Sequence, residues 1–141
     1  MNESFAGVIG EDLDAPSDNY NVTLIIFLLW GMCLLQGEQA MISAMSYFEE
    51  QMPSHEPVNY YTFALYAPQC LAIIWVDLYG GSYSYNLRIS LGLFISACCT
   101  MAIPFLAGAG DSLGFWLCYA DLLVFGWFCG VFQGSAFSLA A

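Results

Sequence analysis

The sequence predicts an all-α, polytopic membrane protein with four transmembrane helices, and three observations carry that prediction. Of its 141 residues, 60% are apolar and only 9% charged, where ordinary soluble domains run near half and a quarter. Four apolar runs, at about 22–45, 59–79, 87–107 and 115–140, each reach the roughly 20 residues that a bilayer crossing needs. The connections between them are short and polar or glycine-rich, which makes consecutive helices antiparallel neighbours.

The elements follow in order. Residues 1–19 read as an acidic, disordered tail, because Glu3, Glu11, Asp12, Asp14 and Asp18 gather there with few apolar partners. Residues 20–141 form one transmembrane bundle. Its first run begins without a basic segment ahead of it, so it is a spanning helix and not a cleaved signal peptide. The connection EEQMPSHEP is charged and proline-punctuated, and the second run contains Pro68 beside Gln69. Then comes YGGSYSYN, whose tyrosines suit the membrane interface. The third run contains Pro104, and AGAGDS turns the chain into the fourth. Each internal proline frees a carbonyl and permits a kink, tolerable in a membrane where neighbours or water satisfy that group. The fourth run continues to Ala141 with no polar tail after it, so the expectation is an incomplete N-terminal bundle, the first part of a longer helix array.

Charge narrows the function. The formal net charge is -11, Arg88 is the one basic residue, and there is no lysine. Nucleic acid is therefore excluded as a partner, since it demands a basic footprint, and so is docking on anionic lipid through a polybasic patch. Arg88, at the start of the third run, favours a cytoplasmic second connection, hence a cytoplasmic N-terminus. The sequons at Asn2 and Asn21 then fall on the wrong side for glycosylation. Cys33, Cys70, Cys98, Cys99, Cys118 and Cys129 all lie in apolar runs, without a C-x-x-C pair or a nearby histidine. They read as small buried hydrophobes, with no metal site or disulfide framework. His55, the sole histidine, stands in a proline-flanked loop. No nucleophile–base pair, phosphate loop or metal-ligand spacing is present, so the expectation is a protein that is not an enzyme and uses no cofactor.

The polar residues inside the apolar runs are the candidates for function. Gly126, Gly130 and Gly134 recur every four residues in the fourth run, a small-residue row that lets a neighbouring backbone approach: a helix-packing face. Gln133 lies beside that row, on the side of Cys129 and Phe137. An amide in hydrocarbon needs partners, so Gln133 either bonds another helix or faces a wet cavity. The stretch LLQGEQAM, Leu34 to Met41, sets Glu38 among Gln36 and Gln39 inside the first run. Intramembrane acids face bundle interiors or water and mark pathways. Glu38 is thus either neutral glue or part of a permeation path. Gln69, on the second run, adds a third amide.

These residues carry a resemblance. GVFQGSAFSLAA, containing Gln133, is similar to the fourth helix of equilibrative nucleoside transporters, which typically reads like LQGSLFGLAG. Counting back from Tyr47-Phe48, the family's opening Leu-Leu-Pro-Trp-Asn element falls on Leu35, Gln36, Gly37, Glu38 and Gln39. The third run opens Arg88-Ile89 as in that family, and the second matches through Ala67-Pro68. The resemblance covers four of an expected eleven helices in a major-facilitator-like transporter. It implies facilitative movement of nucleosides or nucleobases across the plasma membrane, with the remaining helices of the full-length transporter and the lipid bilayer as partners. It places substrate-binding roles on Gln133, Glu38, Gln39, Leu35, Ile42, Tyr66 and Gln69. Beside the resemblance, the acid at Glu38 carries the expectation that it binds a proton or orients the ribose, which would link uptake to pH. Two departures stand out. Cys129 replaces a glycine that the family ties to inhibitor sensitivity, and Gln-Gly-Glu-Gln replaces Leu-Pro-Trp-Asn, removing a tryptophan wall from the site. A different reading of the same residues is a non-transporting four-helix membrane subunit that uses the glycine row to bind a larger partner.

Overall fold

A computed structural model describes residues 21–140; the tail expected over residues 1–19 lies outside the described residues. Five helices follow one another: α1 Val22–Ser43, α2 Met45–Gln51, α3 Pro57–Tyr79, α4 Tyr85–Ala107 and α5 Asp111–Ala140, with a short 3-10 turn, Gly80–Ser82, between α3 and α4. Helices α1 and α2 form a single 30-residue span, interrupted at Ala44. There the amide N–H is shared between the carbonyls of Ala40, at 3.0 Å, and Met41, at 3.2 Å. With α3, α4 and Asp111–Ser138 of α5, the described residues hold four spans long and apolar enough to cross a membrane.

The helix ends have local causes. Helix α3 starts at Pro57, two residues before the apolar run, because proline at the first helical position lacks only an N–H that would be unpaired anyway. Helix α5 starts at Asp111, four residues before its apolar run. Gly110 takes a φ of 107° that a side chain would resist, and the Asp111 carboxylate sits in the first turn, where the helix dipole favours an anion.

Helix α5 is the axis of the molecule, packed between α3 and α4. Half of its apolar span is buried, against 6% for the α1–α2 span. The glycine row explains the α3 side. A methyl group on Gly126 would collide with the Leu65 carbonyl oxygen, one on Gly130 would meet the Gln69 carbonyl oxygen and lie 2.7 Å from Ala72 Cβ, and one on Gly134 would come within 3.2 Å of Val76. Pro68 withholds the N–H that would bond Ala64 four residues earlier, and Gly126 brings its bare backbone against this part of α3, where Cα–H···O contacts are available. On the α4 side, Gly92 seats against Phe132 and the Phe128 carbonyl.

The largest core cluster lies toward the α2–α3 connection, around Phe48, Met52, Tyr61, Phe115, Cys118 and Leu122. Buried Tyr61 stacks on Phe115 with centroids 5.3 Å apart, and its hydroxyl donates to the Phe115 carbonyl at 3.1 Å. Beside it, Ser54 donates to Asp111 Oδ2 at 2.5 Å, and His55 stacks on Phe115. The α2–α3 loop and the α4–α5 turn are therefore tied together at one end, as alternating spans require. At the opposite end Trp75 packs with Trp127, Tyr79 and Tyr83, an aromatic belt of the kind found at membrane interfaces.

Candidate functional site

The first polar residue of α3 after its proline is Gln69, 6% exposed. Pro68 and Gly130 bring its backbone against α5, and this fixes where its side chain can reach. Gln69 Nε2 donates to Glu38 Oε1 of α1 at 2.7 Å and to Gln133 Oε1 of α5 at 3.0 Å. One amide thus spends both hydrogens on two partners and pins three helices at one level. The bond to Glu38 has an ionisable acceptor, and such bonds are shorter and stronger than neutral ones. Gln69 Oε1, at the other end of the amide, is buried without a partner among the described residues.

Three residues singled out separately in the sequence are therefore one constellation. Gln133 does bond another helix, and it also faces a cavity: about 440 Å³ between α1 and α5, lined by Phe27, Trp30, Gly31, Leu35, Phe132, Gln133, Ala136 and Phe137. Leu35 joins Gln133 in that wall. Gln39, Ile42 and Tyr66 lie at the open surface of α1 and α3, outside the cavity's walls. Gly126, Gly130 and Gly134 sit on the α3 side of α5, behind the polar junction.

The aligned position of the family's tryptophan holds Glu38, but a tryptophan from elsewhere on α1 lines this cavity. Trp30, eight residues before Glu38, stands about 12 Å further along the helix at 1.5 Å per residue, with its ring edge-on to Phe132 at 6.1 Å and to Phe27 at 5.4 Å. Phe27, Gly31, Leu35 and Glu38 follow one another at spacings of four, four and three, and Trp30 lies three residues after Phe27 on the same side, so the periodicity of the first run held this signal. Alignment to a motif concealed it.

One further expectation changes. Cys99, Cys118 and Cys129 are buried, whereas Cys33, Cys70 and Cys98 lie on the outer faces; all six are free thiols. Arg88, at the start of α4, is 6% exposed, packed under Gly80, its guanidinium 4.6 Å from the centre of the Tyr85 ring. Among the described residues no ion pair joins a cation to Glu38.

Fold and site together define a multi-pass helical membrane protein with a hydrogen-bonded carboxylate–amide junction beside an aromatic cavity. Over 99 residues, 69% of its length, the chain is 31% identical to Equilibrative nucleotide transporter 1 of Arabidopsis thaliana, and it spans 22% of that protein's length. No family model and no solved structure matches it.

Proposed function

We propose that the chain forms part of a facilitative transporter of nucleosides or nucleobases, and that Gln133, Glu38 and Gln69 line its substrate path with Leu35, Gln39, Ile42 and Tyr66. The observation that carries this reading is the bond from Gln69 to both Glu38 and Gln133 at the edge of the aromatic cavity. A binding site for a small, flat, partly polar solute has this make-up: mostly apolar walls and a few fixed polar groups. Trp30, Phe132 and Phe137 offer faces to a base, and the Gln133 amide offers hydrogen bonds to its edge.

Uncharged solutes suit the site better than phosphorylated ones. A phosphate needs cations, and the cavity's lining holds none, while Arg88 is held by Tyr85 and Gly80 near the α3–α4 connection. The other members of the assembly would be the lipid bilayer around the outer faces and further helices closing the open side of α1. The expected orientation, with the N-terminus in the cytoplasm, places the Trp75–Tyr83 belt on the cytoplasmic side. The plasma membrane is the location that fits solute uptake.

The test is uptake of labelled nucleosides and nucleobases by cells expressing the complete reading frame, with Gln133→Ala as the control. Saturable uptake that falls about tenfold or more in the variant is expected, since leaving a ligand's buried polar edge unpaired costs about 1–3 kcal/mol and every 1.4 kcal/mol is roughly tenfold. Wild-type uptake equal to that of cells lacking the protein would reject the proposal, and would favour the non-transporting membrane subunit.

A further inference from the structure

We propose that Gln69 determines which hydrogen-bonding face Gln133 shows to its ligand, and that protonation of Glu38 inverts that face. The inference rests on the transport reading above, because it takes the cavity between α1 and α5 as the ligand's seat.

The geometry orders the three side chains in sequence. An ionised carboxylate accepts hydrogen bonds and donates none. Glu38 Oε1 lies 2.7 Å from Gln69, so Gln69 turns its amino group, and not its carbonyl, toward α1. The second hydrogen of the same nitrogen goes to Gln133 Oε1 at 3.0 Å, which engages the Gln133 carbonyl. With its carbonyl engaged by Gln69, Gln133 has its amino group left to offer a ligand in the cavity it lines. With Glu38 ionised, Gln133 is a donor, and it selects a base edge that presents a carbonyl: a 6-oxopurine or a 4-oxopyrimidine.

A proton taken up by Glu38 from water reverses each step. The carboxylic acid now donates, so Gln69 meets it with its carbonyl after a half-turn of the terminal amide. That oxygen has a second lone pair, which accepts from the Gln133 amino group. Gln133 turns likewise and shows its carbonyl to the cavity, where it selects an amino-bearing base. No covalent bond changes other than that to the single proton, which returns to water on release. Because Gln69 Oε1 now lies buried without a partner, the half-turn breaks nothing on its far side. It exchanges an orphaned carbonyl for an orphaned amino group.

The surroundings leave this choice to Glu38. From α5, Cys129 lies within electrostatic reach of it, although that thiol pairs with Ser96 of α4 at 3.4 Å. Helix α3 presents Gln69, with Tyr66 and Cys70 at the open surface, and α1 itself adds Cys33, also exposed. Asp121 lies further along α5, beside Cys99 and Cys118. No basic side chain stands among these groups.

The experiment exchanges the carboxylate of Glu38 with the amide of Gln69. In the complete protein, the double variant Glu38→Gln with Gln69→Glu keeps one carboxylate and two amides but moves the carboxylate to the middle. There it accepts from both neighbours and forces the Gln133 carbonyl toward the cavity. Initial uptake is measured for two probe pairs, inosine against adenosine and uridine against cytidine. The wild type is expected to favour the keto member of each pair, and the exchange to shift the ratio about tenfold toward the amino member, the value of one hydrogen bond. Lowering external pH moves the wild-type ratio the same way, while Glu38→Gln alone abolishes that pH dependence. Continued uptake by the double variant with wild-type ratios overturns the inference and leaves the transport reading standing. If the double variant does not fold, a wild-type ratio independent of pH overturns it equally. Failure of the wild type to take up any of the four probes removes the transport reading, and the inference falls with it.

Discussion

Helix α5 meets α3 and α1 in opposite ways. Against α3 it is backbone on backbone: the Gly126 and Gly130 positions leave no room for a methyl group before the carbonyls of Leu65 and Gln69. Against α1 it makes an edge contact from Phe132 to Trp30, meets Gly37 through Phe125, connects through the Gln69 bridge, and encloses a cavity. Lipid is as apolar as leucine, so in a membrane close packing and hydrogen bonds, and no hydrophobic force between helices, hold a seam together. By that criterion α3, α4 and α5 are the fixed scaffold, and α1 is a wall joined to them by ring contacts and by the bond from Gln69 to Glu38, a bond worth about 1–2 kcal/mol or less. The two seams of one helix differ in how closely they are packed, and the proposed substrate path lies along the looser one.

Substitutions can break or sharpen this contrast. The largest effect is expected at the fixed seam: Gly126→Val forces a branched side chain into the α3 backbone and costs about 3 kcal/mol, near the top of the overpacking range. An unfolding titration of the purified protein in detergent would read this as a lowered midpoint; an unchanged midpoint would show that α3 and α5 are not packed through this row. At the looser seam the effect falls on activity. Gln69→Leu removes both bonds of the bridge, and uptake should fall several-fold while the unfolding midpoint drops by no more than about 1–2 kcal/mol equivalent. A loss of stability as large as that of Gly126→Val would contradict the contrast. Smaller again is Tyr61→Phe, which removes the hydroxyl bond to Phe115 and is expected to cost about 1 kcal/mol in the same titration, without altering substrate preference. The smallest is Gly31→Ala on α1, where an added methyl group meets nothing within 4 Å. It should be neutral or stabilise the helix by up to about 1 kcal/mol, and a marked loss would mean that α1 packs more tightly than its 6% buried span implies.

The glycine row, the four spans and the suspicion attached to Glu38, Gln69 and Gln133 were all legible in one dimension. Each follows from composition, from a period of four, or from the cost of a polar group in hydrocarbon. Their convergence was not legible, since nothing in the sequence says that residues 31 and 64 positions apart share one amide. The motif comparison led away from Trp30, because it looked for an aromatic ring at the aligned position and the structure supplies one two turns earlier. Gln39, Ile42 and Tyr66, which the resemblance places on the same path, lie at the open surfaces of α1 and α3.

What the amino-acid sequence decided alone is therefore the medium and the parts: a membrane chain of four spans, with its polar atoms confined to a few positions where solvation is expensive. Tertiary structure decided how those atoms are paired. Pairing depends on which helix approaches which, and that is set by backbone-to-backbone distance at Gly126 and Gly130, a quantity that emerges only when two helices are in contact.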